Sequence, residues 1–294
     1  MSTIGFDTSN YTTSTAWTDG KTDINVRQIL YVKDGERGIR QSDGVFQHMK
    51  LMPVMYEKLS EQIDFKDVKA VGVSTRPRCV EGSYMPVFLA GEGYAKVVAN
   101  TVGVPLYEFS HQDGHIMAGI YSSGSFELLE NDFISVHLSG GTTEILKSRY
   151  NGFNFDNEII GGSKDISAGQ FIDRVGVKMG LHFPAGKALE QLALKTEKGE
   201  KLPIAVDGAY MNFSGVETKA SRMAESEKCD KSALALGVLE NVRDTLVKTI
   251  NKAMTDTNTH RVLIVGGVAS NGIIRNGLTK KLDGDVYFAK AEYS

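Results

Sequence analysis

The stretch Phe133-Ile134-Ser135-Val136-His137-Leu138-Ser139-Gly140-Gly141-Thr142-Thr143-Glu144-Ile145-Leu146-Lys147 reads as strand, tight turn and strand. Apolar and β-branched runs on either side of a Ser/Gly/Thr cluster are a hairpin signal. The two glycines free the backbone to adopt positive φ and to approach a ligand, so that successive N–H groups can converge on an anion. The same pattern stands about 130 residues earlier, where Thr3-Ile4-Gly5-Phe6-Asp7 and Thr12-Thr13-Ser14-Thr15-Ala16-Trp17 flank the link Thr8-Ser9-Asn10-Tyr11. That link has two readings, a phosphate grip or an ordinary Asx or Ser/Thr turn. Two such hairpins predict a duplicated α/β domain with one phosphate grip per half.

Outward from the first hairpin come a third strand over 24–31, a charged connection from 33 to 44 and a helix over 43–60. Val45, Phe46, Met49, Met52, Met55, Tyr56 and Leu59 recur at helical spacing, and methionines on such a stripe read as core filler. A buried strand over 68–74 ends in Thr75-Arg76-Pro77-Arg78-Cys79, where open α/β sheets place ligands; the arginines are either anion ligands or solvated loop. A helix over 83–101 and a strand over 104–109 follow. Beyond the second hairpin the pattern predicts a strand over 154–160 and helices over 165–180 and 185–196. A further helix begins in Asn212-Phe213-Ser214-Gly215-Val216-Glu217-Thr218-Lys219 with Ser214 as cap, and a long one covers 231–256. The apolar strand 261–265 turns through Gly266-Gly267-Val268-Ala269-Ser270-Asn271 into another helix, a common nucleotide-contact geometry. The last strand, 285–289, has no covering helix behind it, which raises the expectation of a further C-terminal segment in the full protein.

Ser110-His111-Gln112-Asp113-Gly114-His115 reads as the start of a helix, with Ser110 and Asp113 as N-cap and partner. Its two imidazoles, four residues apart, share one face, as metal ligands or as a packed or solvated pair. In zinc proteases the residue after the first His is a glutamate base; here it is Gln112, whose amide takes no proton from water.

At 294 residues, 41% apolar and 23% charged, the chain is globular and long enough for two lobes. A formal charge of −3 gives no overall footprint for nucleic acid, so such a partner needs a local basic patch or help from other subunits. No apolar run approaches the ~18 residues of a membrane span. No leader pattern precedes the first strand, and the chain reads as cytoplasmic. Cys79 and Cys229 fit neither a zinc knuckle nor a redox pair and read as reduced and structural.

Taken in order, Gly5-Phe6-Asp7-Thr8-Ser9, His111-Gln112-Asp113-Gly114-His115, Ser139-Gly140-Gly141-Thr142-Thr143, Asp165-Ile166-Ser167-Ala168-Gly169-Gln170-Phe171-Ile172-Asp173, Phe183-Pro184-Ala185-Gly186, Phe213-Ser214-Gly215 and Gly266-Gly267-Val268-Ala269-Ser270-Asn271 resemble the TsaD/Gcp family. These are threonylcarbamoyl transferases once catalogued as O-sialoglycoprotein endopeptidases. The resemblance implies an actin/Hsp70/hexokinase-like (ASKHA) fold, two duplicated lobes around a nucleotide cleft, here 1–109 and 110–294, the second carrying the His-pair helix. It implies transfer of a threonylcarbamoyl group from threonylcarbamoyl-AMP to N6 of the adenosine next to the anticodon in tRNA. It also implies that His111 and His115 hold one divalent metal, Fe or Zn. His137, Leu138, Ser139, Gly140, Gly141, Asp173, Gly186 and Asn271 would hold the adenine nucleotide, threonylcarbamoyl-AMP or ATP, with Mg²⁺ alongside. The implied partners are tRNA, a TsaB-like paralogous subunit and a TsaE-like ATPase, with no membrane.

The chain departs from the family pattern at Asp113 for the usual Glu, at Thr142 for the usual His, and at Arg76-Pro77-Arg78 for a Gly-Pro-Gly loop. The family's third ligand, an Asp in a Ser/Thr-x-Asp-Asn-Ala motif, is not in this sequence. These departures suit a divergent paralogue, and the alternative function is a non-catalytic nucleotide-binding scaffold. A metallopeptidase lacks its base. A small-molecule kinase would need a catalytic Asp, for which Asp7 is the candidate.

Overall fold

Ser2, Ile4 and Phe6 are buried while Thr3, Gly5 and Asp7 are only half-buried, the period of two that a strand imposes. This strand, β1 (Ser2–Asp7), pairs antiparallel with β2 (Thr12–Thr18), and β2 with β3 (Asp23–Ile29). The computed structural model describes residues 2–9, 11–32 and 39–293; Asn10 of the first turn and residues 33–38 of the charged connection lie outside them. After α1 (Gln41–Ser60) comes β4 (Val68–Arg76), parallel to β1, and after α2 (Phe88–Val102) comes β5 (Leu106–Ser110), parallel to β4. Among the described residues this gives a sheet in the order β3-β2-β1-β4-β5.

The stripe on α1 differs from the expected one. Gly44, His48, Met52, Met55 and Leu59 are buried, while Phe46 and Met49 are 64% and 47% exposed. The buried face runs through a histidine whose Nδ1 meets Thr13 Oγ1 at 2.8 Å, so that nitrogen is paired inside the core.

The first turn is held by side-chain hydrogen bonds. The Thr8 hydroxyl is fully buried, donates to the Val87 carbonyl at 2.8 Å and accepts from Gly91 N–H at 3.0 Å. Ser9 N–H donates to Asp7 Oδ1 at 2.7 Å, an Asx turn. Thr8 therefore anchors α2. Gly91 permits the approach: a Cβ there would stand 2.9 Å from Thr8 Oγ1.

Contacts divide the chain into compact units at 1–114 and 115–294. The helix α3 (His111–Ser123) opens in the first and continues in the second, which then holds β6 (Phe133–Leu138), β7 (Thr143–Tyr150) and β8 (Phe155–Ser163) as an antiparallel meander. Next come α4 (Ala168–Lys178), α5 (Gly186–Ala193), β9 (Ala205–Asp207), β10 (Tyr210–Asn212), α6 (Ser214–Ala224) and α7 (Lys231–Thr257). The unit closes with β11 (Arg261–Val265), α8 (Gly272–Lys281) and β12 (Asp285–Phe288). Its sheet runs β12-β11-β6-β7-β8-β10-β9 among the described residues. Here β11 is parallel to β6 and β12 to β11. The order β8-β7-β6-β11-β12 repeats β3-β2-β1-β4-β5 strand for strand and direction for direction, so the duplication expected from the two hairpins is present.

Each unit has its own core. In the first, Ile4, Phe6, Val71 and Val73 pack with Met52, Leu59 and Ala95. In the second, Val136 and Ile264 from the sheet pack with Phe171, Leu239 and Leu246 from helices. No helix among the described residues is long and apolar enough to cross a membrane.

Candidate functional site

The helix carrying the histidine pair starts where expected. Ser110 Oγ donates to Asp113 Oδ2 at 2.6 Å, and Asp113 N–H donates back to Ser110 Oγ at 3.1 Å. Gln112 N–H, another first-turn donor, reaches the Pro77 carbonyl at 3.1 Å, so the 75–79 loop helps to cap α3. Within that loop Arg76 donates to Thr75 Oγ1 at 3.1 Å.

His111 Nδ1 lies 2.9 Å from Asp7 Oδ2, and the two side chains are 30% and 28% exposed. Burial disfavours charge on both groups. The Asp7 carboxylate outweighs it and raises the His111 pKa, while the imidazole and the Ser74 and Ser9 donors hold Asp7 well below the usual carboxylate range. The contact through Nδ1 turns Nε2 of His111 away from Asp7. His115, one helical turn on, packs in the second unit against His137 at the end of β6, with ring centroids 4.8 Å apart and an interplanar angle of 57°.

For a metal ion the donors present fit in part. Two imidazoles one turn apart on a capped helix are suitable ligands. Among the described residues no group of three His, Cys, Asp or Glu is placed to close a coordination shell.

The turn after β6 is held from inside. Ser139 Oγ accepts from Gly141 and Thr142 N–H at 3.3 and 3.0 Å, a Ser/Thr turn. Neither Gly140 nor Gly141 takes the positive φ expected of them. What they provide is room: a Cβ on either would meet nothing within 4 Å. The turn is strapped to the start of α4. Ser167 Oγ donates to the Gly140 carbonyl at 2.7 Å, Ala168 N–H donates to Thr143 Oγ1 at 2.9 Å, and Ser167 forms a capping box with Gln170. The helix thus begins at Ala168, not 165, because Ser167 caps it there.

Asp173, on α4, is brought to Gly186. Its Oδ1 accepts from Ala185 N–H at 2.8 Å and its carboxylate also takes Gly186 N–H, so it caps α5. Burial raises its pKa against those two donors. Glu190, one turn into α5, accepts from Gly272 N–H at 2.6 Å, and Asn271 Oδ1 caps α8 through Ile274 N–H at 3.1 Å. The starts of α5 and α8 are therefore linked through Glu190. Sequence reading missed this residue, although an acid one turn after a helix-opening glycine is a usable signal.

It also missed Asp165. The expected cap Ser214 is the first helical residue of α6, and Asp165 caps that helix from 49 positions away, taking Phe213 N–H at 2.8 Å, Ser214 N–H at 3.0 Å and Ser214 Oγ at 2.5 Å. Desolvation raises the Asp165 pKa, but the Ser214 hydroxyl and the Phe213, Ser214 and Ile166 N–H groups lower it further, to about 2. The folded pKa lies below the unfolded value, so this stabilisation is present above about pH 4 and is lost as pH falls toward 2. Because the carboxylate is solvent-exposed, screening limits its worth to about 1 kcal/mol. Asp165→Asn is expected to lose that amount at pH 7 in urea unfolding, with the difference from wild type shrinking between pH 4 and 2.

Fold and site together define an α/β protein of the ASKHA class, two copies of one sheet with a glycine turn and a glycine-opened helix in the second. HypF in its phosphate- and nucleotide-bound form shares that fold, with a TM-score of 0.60 at 16% identity over 97% of this chain and 43% of HypF. The family model for tRNA N6-adenosine threonylcarbamoyltransferase, TsaD, matches residues 37–294. An enzyme of that name from Thermus thermophilus is 30% identical over 283 residues, 92% of this chain and 82% of that protein. One from Limosilactobacillus reuteri is 32% identical over 76% of this chain and 63% of its own. The chain belongs to the TsaD family, a family of transferases.

Proposed function

We propose that this protein transfers a threonylcarbamoyl group from threonylcarbamoyl-AMP to N6 of the adenosine beside the anticodon of tRNA, in the cytoplasm. The observation that carries the reading, given the family, is the Gly140-Gly141 turn: it is clamped to α4 by Ser167, yet both glycines keep a side of the backbone open to a close-fitting ligand. His137, Leu138, Ser139, Gly140, Gly141, Asp173, Gly186 and Asn271 hold the adenylate. In the reaction N6 attacks the carbamoyl carbon, the C–N bond forms, the C–O bond to AMP breaks and N6 gives up a proton. Fixed donors that meet the charge developing on oxygen are worth roughly 3 to 4 kcal/mol each.

A divalent ion, Fe²⁺ or Zn²⁺, held by His111 and His115 would supply Lewis acidity toward the threonylcarbamoyl oxygens. Asp7 fixes the His111 ring so that Nε2 is presented. A TsaB-like subunit and a TsaE-like ATPase complete the assembly and help a chain of net charge −3 to hold tRNA.

Incubation with threonylcarbamoyl-AMP, tRNA and those partner proteins is expected to yield the modified nucleoside by mass spectrometry. His111→Ala should abolish it. A second reading, a scaffold that binds nucleotide without catalysis, is motivated by the departures from the family pattern at Asp113, Thr142 and Arg76-Pro77-Arg78. Nucleotide binding with no product in any combination would establish it instead.

A further inference from the structure

We propose that the loop between β4 and α2 is a contact surface for single-stranded RNA, with Arg76 taking a backbone phosphate and Tyr84 stacking on an unpaired base. The inference rests on the transferase reading, which supplies an RNA loop as substrate. It assigns the phosphate contact to a residue at which this chain leaves the family's Gly-Pro-Gly pattern.

Arg76 is the last residue of β4, half-buried, and in register with Ser110, the residue before α3. Its guanidinium donates to the Thr75 hydroxyl at 3.1 Å and to Cys79 Sγ at 3.7 Å. No carboxylate pairs with it among the described residues. A partly desolvated cation is ordinarily matched by an acid. The acids near this strand end are already engaged: Asp113 accepts from Ser110 N–H and Oγ–H at 3.0 and 2.6 Å, and Asp7 faces His111 at 2.9 Å. The adjoining start of α3 adds the partial positive charge of a helix N-terminus. The strand end therefore carries a cation that lacks its anion, and phosphate oxygens suit a planar guanidinium.

The rest of the loop offers a platform for a base. Arg78 N–H donates to Ser83 Oγ at 3.0 Å, Ser83 N–H donates to the Val80 carbonyl at 3.2 Å, and Gly82 takes a φ of +74°. On this closed loop Tyr84 is 62% and Val80 58% exposed, an aromatic ring and an aliphatic side chain held in water. Glu81 is the single acid between 75 and 86, against two arginines. A cation and an exposed aromatic on one short loop suit an unpaired nucleotide, phosphate to guanidinium and base to ring. A duplex presents no splayed base to Tyr84. On a chain of net charge −3 the basic patch for RNA has to be local, as it is here.

The test is binding of a fluorescent anticodon stem-loop RNA to the full chain, alone and with the partner proteins of the transfer assay, followed by anisotropy across a range of salt. Arg76→Ala should weaken binding about tenfold and flatten the slope of log affinity against log salt by about 0.7, the share of one phosphate contact on a single strand. Arg76→Lys keeps the charge and should keep the slope. Tyr84→Ala should weaken binding about tenfold at unchanged slope, and Tyr84→Phe should bind as wild type does. An RNA duplex of equal length should compete about tenfold less well. Nucleotide affinity by calorimetry and the unfolding temperature are expected to stay at wild-type values in all four variants. Unchanged RNA affinity and salt slope in Arg76→Ala and Tyr84→Ala would overturn the proposal, as would a wild type that binds no RNA in either setting or a duplex that competes equally. Modified nucleoside is read separately. Its absence alongside loop-dependent RNA binding counts against the transferase reading alone, and its presence with an indifferent loop counts against this proposal alone.

Discussion

Gly169→Ala should lower the free energy of unfolding by about 2–3 kcal/mol and weaken adenylate binding at the same time. A Cβ at 169 would stand 2.5 Å from Gly140 Cα and 2.6 Å from the Ser139 carbonyl. Both neighbours are backbone, so no rotamer change relieves the overlap; either α4 withdraws or the turn moves. Gly141→Ala is the control. With nothing within 4 Å of its Cβ and no positive φ, it should change stability by no more than about 0.5 kcal/mol. It should still weaken binding of the nucleotide, because the new methyl fills the open side of the turn. Urea denaturation with calorimetric nucleotide titration measures both quantities. Equal destabilisation by the two substitutions would contradict the packing described for α4, and unaltered nucleotide affinity in Gly141→Ala would remove the turn from the binding site.

The second large effect is at Gly266, where β11 ends. Its φ is +101°, outside the range that side-chain-bearing residues adopt readily, and a Cβ there would lie 2.5 Å from the Leu138 carbonyl oxygen and 2.8 Å from its carbon. Strained φ costs about 1–3 kcal/mol and the backbone overlap a similar amount, so Gly266→Ala is expected to lose roughly 3–4 kcal/mol. Its neighbour Gly267 has neither constraint, and Gly267→Ala should be close to neutral in the same urea experiment. If the two alanine variants unfold alike, the close approach of β11 to the end of β6 is wrong.

The parts legible in sequence are those decided by residues near one another. Strand, turn and strand around Ser139–Thr143 stood out through composition, and the Ser110–Asp113 box through spacing. The long α7 followed from its apolar period, and its Asp230 cap accepts from Ser232 and Ala233. The parts that were not legible depend on distant partners. His48 is core because Thr13 is opposite it, 35 positions away. Asp165 caps a helix that starts 49 residues later, and Glu190 reaches Gly272 across 82 positions. In the glycine turn the failure was of another kind. Glycine permits positive φ without requiring it, and the Ser139 hydroxyl offered the turn's N–H groups a nearer acceptor.

The strand-for-strand repeat puts the β1–β2 and β6–β7 turns at equivalent positions of the two sheets, yet they differ in kind. In the first, Thr8 and Gly91 fit each other so closely that neither can change alone: loss of the hydroxyl leaves Val87 and Gly91 unpaired, and a methyl at 91 meets Thr8. In the second, Gly140 and Gly141 meet nothing in the protein that would object to a methyl. A selection for foldedness alone would therefore fix positions 8 and 91 and let 140 and 141 drift. Selection for activity would reverse that freedom at 140 and 141. One copy of the turn is a fastener, and the other leaves its backbone open on one side.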